Sequence, residues 1–224
     1  MTSMSQQYNN IPTNYIGVVA IVDQIVNASD GSNPLPIWNF QPGRGHVVNI
    51  SNFRDTVART TDSIIEVRRP PKDTPSLPSV TGFHTQQEDK HIIGISRLCN
   101  HCWFRFSAAK ELFHVLCPEP DRNGADDVVH DAHAQMDNRH SLIQDIAQPF
   151  DIEVFCYFAA IELMIPRTLR DPLISLRNKG LTFYDLAKFL HCPEYILKSE
   201  MFNRTTGLRQ ISDEAWHAYK SRTE

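Results

Sequence analysis

Lys110, Glu111 and His114 lie in the order Lys-Glu-Leu-Phe-His, one residue type away from the His-Glu-x-x-His pattern that holds zinc on a helix. Positions 110 and 114 are one turn apart on one helical face. In the zinc pattern two imidazoles at those positions grip one Zn²⁺, and the intervening glutamate polarises a bound water. Here the first grip is a cation. A protonated lysine offers donors and no lone pair, and its charge repels a metal at contact distance.

The elements that must position these residues follow from apolar spacing. Apolar residues at 104, 108, 112, 115 and 116 predict a helix over Phe104 to Leu116 with one buried stripe, stopped by Pro118 and Pro120. A second helix is expected over Glu153 to Met164, with Phe155, Phe158, Ala159 and Leu163 inward and Pro166 at its end. Between them, residues 119 to 139 hold six Asp or Glu against two Arg and read as an exposed insertion, followed by a short helix around Leu142, Ile143 and Ile146.

Upstream, Tyr15, Val18, Val19, Val22 and Val26 predict an amphipathic helix ending before Asp30-Gly31-Ser32. Residues 31 to 46 are rich in Pro and Gly and are expected to be loop. Asn52 to Thr60 suits a short helix, and Ser63 to Val67 a β-branched strand ended by Pro70-Pro71. The stretch from Pro70 to Pro78 holds four prolines and must be loop. A hairpin follows, with strands Val80 to His84 and His91 to Ile95 around a polar turn at Gln86 to Lys90. From Arg167 onward the chain is expected to be helical and polar, with Phe183, Leu186, Ala187, Phe189 and Leu190 as one stripe and a break at Cys192-Pro193.

Other residues could do chemistry but have plainer readings. Cys99-Asn100-His101-Cys102 has the spacing of a zinc knuckle, yet no second such pair lies downstream, so thiols packed at a strand-to-helix junction are favoured. Asp126, His130 and His133 suit a solvated acidic segment better than a ligand set. Cys156 reads as a small buried hydrophobe, and Arg105 either anchors the start of its helix or meets a carboxylate.

The net charge of −4 over 224 residues, with no long basic block, argues against a nucleic-acid or membrane surface, so direct nucleic-acid binding is not expected. Five cysteines and a polar stretch over Met1 to Asn14, with no signal-like apolar run, point to the cytoplasm. No apolar run reaches the length of a spanning helix.

Taken together, Arg105-Phe106-Ser107-Ala108-Ala109-Lys110-Glu111-Leu112-Phe113-His114 and the later Glu153 to Pro166 stretch resemble the ImmA/IrrE family of metallopeptidases over roughly residues 60 to 170. The resemblance implies an α+β, zincin-like fold: a small, mostly antiparallel sheet packed on the motif helix and on a second glutamate-bearing helix, with extra terminal helices. It implies a helix and loop at residues 1–46, the peptidase-fold core at 47–170 and a helical extension at 171–224. It places His114 and Glu153 as metal ligands, Glu111 as general base, and Lys110 where the family carries its first histidine ligand. With that ligand replaced, Zn²⁺ has two protein ligands where catalytic sites keep three, and is expected to bind weakly unless another residue enters. Lys110 is expected to pair with Glu153 or Glu111 instead.

Family members cleave helix-turn-helix repressors. The expected function is therefore a regulatory protein on a degenerate peptidase scaffold that binds a protein partner such as such a repressor. The alternative is an active zinc endopeptidase with a non-standard ligand set. A third class, a structural or toxin-like module whose working face lies in the C-terminal helices, is also compatible with the residues.

Overall fold

The computed structural model describes residues 13–30, 37–41, 45–71, 81–88, 90–117, 152–201 and 208–223. The chain runs through helix α1 (Thr13–Asp30), strands β1 (Trp38–Gln41) and β2 (Gly45–Val48), helix α2 (Ile50–Thr61), and strands β3 (Ile64–Arg68), β4 (Gly82–Gln87) and β5 (Lys90–Ile95). Helices α3 (His101–Leu116), α4 (Ile152–Met164), α5 (Arg167–Asn178), α6 (Phe183–Leu190), the short α7 (Glu194–Ile196) with a π-helical turn at Leu197–Met201, and α8 (Leu208–Thr223) complete it. The fold is mixed α+β, predominantly helical. Among the described residues no helix is long and apolar enough to cross a membrane.

Three features differ from expectation. Part of the 31–46 loop is a hairpin, with Trp38 paired to Val48 and Gln41 to Gly45; each strand has four residues, too few to announce itself by alternation, and β2 is supported by packing on α6. The three-stranded sheet is mixed, where a mostly antiparallel one was expected. Its order is β3-β5-β4, with β5 parallel to β3 and antiparallel to β4. The proline-rich connection after Arg68 is long enough to carry the chain past the β5 position to the far edge, so the returning β5 inserts beside β3 in the same direction. The β4–β5 hairpin is also longer than expected. Gln86 and Gln87 remain in the ladder, opposite His91 and Lys90, and the reversal is made at Glu88, whose φ is 50s-positive at 54°.

Register assigns the two faces of the sheet. Gly82, His84, Ile65, Val67, His91, Ile93 and Ile95 share the face that packs on α3. On the other face Phe83 lies across Gly94, its cross-strand partner, so closely that a Cβ at Gly94 would fall 2.2 Å from the ring.

Helix α3 is sandwiched between this sheet and α4, and α1 and α8 pack beyond α4. That position explains why α3 is buried almost all round, from Phe106 to Ala109 and again from Glu111 to Phe113. The buried alanines Ala108, Ala109, Ala159 and Ala160 leave room for α3 and α4 to meet. Asn100 caps α3 by accepting from the Trp103 amide at 3.0 Å, which accounts for the polar residue between the two cysteines.

The C-terminal half of α4 is wholly buried, yet it carries Glu162, which is 4% exposed. A buried carboxylate must be fully partnered, and this one is. Its Oε1 accepts from Tyr15 at 2.8 Å and Ser212 at 2.5 Å, and its Oε2 from Arg167 at 2.6 Å and Arg170 at 2.7 Å. Arg167 and Arg170 also donate to Ser212 Oγ. One carboxylate therefore ties α1, α4, α5 and α8 together. Burial first, and the Glu162 charge second, push the Tyr15 phenol well above its ordinary value, so it stays a donor.

Candidate functional site

Lys110 and His114 project from α3, one turn apart, toward the first turn of α4, where Glu153 sits. Lys110 Nζ is 2.6 Å from Glu153 Oε2 and 3.3 Å from Glu111 Oε1, and His114 Nε2 is 3.0 Å from Glu153 Oε1. The four side chains named from sequence thus meet at one place. The Lys110 ammonium bridges carboxylates on two helices.

The cluster lies largely out of solvent: the Glu111 side chain is 4% exposed and those of Lys110 and Glu153 are 18% exposed. Burial alone would lower the Lys110 pKa, but the charges of Glu111 and Glu153 outweigh it and raise it, so the group is a cation at neutral pH. Burial pushes the Glu153 carboxyl up, and the contacts with His114 and Lys110 overcome this and hold it down at about 2. Glu111 Oε1 and His114 Nε2 have no hydrogen-bond partner of good angle; they meet their charged neighbours off-axis.

Glu111 reaches its position because β4 carries a glycine there. A Cβ on Gly82 would approach Glu111 Oε1 to 3.1 Å, so any larger residue would press on the carboxylate. Two histidines that sequence reasoning passed over stand on the same face of the sheet. His84 Nε2 and His91 Nδ1 are 2.7 Å apart, with the rings stacked at 5.0 Å. Burial first, then the neighbouring His91 and His114, lower the His84 pKa to about 4. Alternation could place each of them on the inward side, but their meeting follows from the register, in which positions 84 and 91 fall diagonally across the hairpin.

A catalytic zinc ion needs three protein ligands converging on one open point. Among the described residues no three His, Cys, Asp or Glu side chains are so grouped. His114 and Glu153 supply two such donors, and the Lys110 ammonium stands between the Glu111 and Glu153 carboxylates. The Lys110 ammonium links the Glu111 carboxylate of α3 to the Glu153 carboxylate of α4.

The remaining candidates fall elsewhere. Cys99 and Cys102 are free thiols whose pKa burial raises, against the opposing charges of Arg69 and Arg105, the reverse of a reactive redox pair. Cys156 is fully buried and its thiol is likewise pushed up, by burial first. Arg105 donates to the Val48 carbonyl, tying β2 to α3. Asp126, His130 and His133, and the helix expected near Leu142, lie outside the described residues. The chain matches no protein-family model, no curated protein and no solved structure.

Proposed function

We propose that this chain is a regulatory protein on a metallopeptidase-like scaffold, in which the position of a zinc-binding histidine has been given to a structural cation. It acts by binding a protein partner, for which a helix-turn-helix repressor is the leading class, without hydrolysing it. The observation that carries the reading is the bridge from Lys110 Nζ to Glu153 Oε2 at 2.6 Å and to Glu111 Oε1 at 3.3 Å. An ammonium there compensates both carboxylates that zinc chemistry would use. The partner class rests on the resemblance of the α3 and α4 sequences to ImmA/IrrE peptidases.

Metal content tests the reading first. Protein prepared with added zinc should carry far less than one zinc per chain, whereas Lys110→His should raise occupancy toward one, and His114→Ala in that background should abolish it. Stoichiometric zinc in the parent chain, lost on His114→Ala or Glu153→Ala, would favour the active endopeptidase. A folded Lys110→His protein that takes up no zinc would end the assignment of these residues to a ligand position. Mixed with a candidate repressor, the chain should retain it on a column and leave it uncleaved on a gel.

A further inference from the structure

At the opposite end of α3 from Lys110 and His114, a cleft of about 530 Å³ opens between the N-terminus of α2, the end of β3 and the first turn of α3. Its lining includes Arg54, Arg69, Arg105 and His101, and no Asp or Glu. We propose that this cleft is a binding site for a phosphate-bearing small molecule of nucleotide size.

The charge is organised rather than scattered. Arg54 has a carboxylate of its own, Asp55 at 2.7 Å. Arg69 and Arg105 have none among the described residues. Each is instead held by main-chain carbonyls: Arg69 donates to Arg97 and Cys99, both at 3.2 Å, and Arg105 to Val48. Arg69 also lies over the Phe104 ring at 4.9 Å. Neutral acceptors fix the two guanidinium planes without cancelling their charge, which is how a fork of donors is kept ready for an oxyanion. Arg105 Nε has no hydrogen-bond partner. The His101 imidazole experiences both arginines: burial first, then Arg105 and Arg69, depress its pKa.

Helix α2 adds donors. Its cap, Asn49, has its side chain committed to the Asn52 amide at 3.1 Å and its own amide to the Ile37 carbonyl at 2.7 Å. The amides of Ile50 and Ser51, the first two helical positions, are left to point out of the helix, and both residues line the cleft. The volume falls in the range of small-molecule sites and exceeds what a lone phosphate group needs, with Phe104 and Val67 as apolar wall. An extended polyanion is disfavoured by the chain's net charge of −4. The inference does not depend on the proposed function, because none of the Lys110 cluster lines the cleft.

Calorimetric titration of the full chain with inorganic phosphate, adenosine, AMP, ATP and a single-stranded oligonucleotide tests this. Saturable 1:1 binding of AMP or ATP is expected, with inorganic phosphate weaker and adenosine weaker still. Arg69→Gln should weaken nucleotide binding at least about tenfold, Arg69→Lys less, and Lys188→Gln, at an exposed position of α6, not at all. Arg105→Gln should act like Arg69→Gln; if loss of its Val48 contact prevents folding, Arg69→Gln decides alone. Four outcomes would overturn the proposal: no saturable binding at millimolar nucleotide, binding insensitive to Arg69→Gln, adenosine binding as well as AMP, or the oligonucleotide binding more tightly per phosphate than the mononucleotide.

Discussion

Replacing Lys110 by methionine keeps the length and apolar stem of the side chain and removes only the ammonium. Two carboxylates then face each other across the α3–α4 contact, Glu111 with its side chain 4% exposed and Glu153 at 18%, with His114 as the remaining basic neighbour. Removing one member of a buried pair costs about 3–5 kcal/mol; partial exposure of Lys110 and the surviving His114 contact reduce this to about 2–4 kcal/mol. For a domain of this size that is a fall in Tm of roughly 6–12 °C. The pH dependence is the sharper readout. Glu153 is held at about 2 against an ordinary 4.5, so its contribution is complete above 4.5 and is lost as pH falls toward 2. In the variant the share of that contribution owed to Lys110 is missing at neutral pH while the His114 share remains, and the difference between the two proteins should shrink steadily on acidification below 4.5. Urea unfolding followed by circular dichroism at pH 7, 5 and 3 measures it. A difference below about 0.5 kcal/mol at pH 7, or one of constant size at all three values, would refute the idea that the ammonium is there to compensate the carboxylates.

Two further outcomes follow from other parts of the fold. His84, lowered to about 4 from an ordinary 6.5, stays neutral in the folded chain while the unfolded chain takes up a proton, so stability should fall as pH drops from 6.5 to 4. After allowance for solvent screening this amounts to about 1–2 kcal/mol, and His84→Gln should flatten that part of the stability profile; an unchanged slope counts against it. Arg170→Met should cost about 2–4 kcal/mol because it leaves the buried Glu162 carboxylate to Arg167, Tyr15 and Ser212, whereas Arg209→Met, at a pair with side chains 41% and 84% exposed, should stay within about 0.5 kcal/mol in the same urea unfolding at pH 7.

Much of the site was legible because its signals are local. The spacing of Ala108, Leu112 and Val115 turns Lys110 and His114 toward one side of α3, and the apolar run around Glu162 announces a second buried helix, whereas Glu153, in the first turn of that helix, was placed opposite them only by the resemblance to ImmA/IrrE peptidases. Even the Glu162 network had a local trace, since a glutamate inside such a run must find cations and two arginines follow within eight residues. What was not legible depends on distant partners. The β1–β2 hairpin is four residues a side and leans on α6, far along the chain. The direction of β3 relative to β5 was hidden by a connection whose residues carry no directional information. The His84–His91 contact needed the hairpin register, and the arginine-lined cleft needed α2, β3 and α3 in place together.

The carboxylate of Glu162 joins residues that are made at very different times. Its tyrosine partner precedes it by 147 positions and its serine partner follows it by 50. A nascent chain that has just emerged through α4 therefore holds an anion in apolar surroundings with its ring of donors incomplete, and closure of the helical layer waits for α8. Contacts of such long sequence separation slow the search for the native state, and the apolar faces of α1 and α4 stay uncovered during it. Ribosome-bound intermediates of this protein should on this account be natural clients for holding chaperones, released only once the serine-bearing helix has docked.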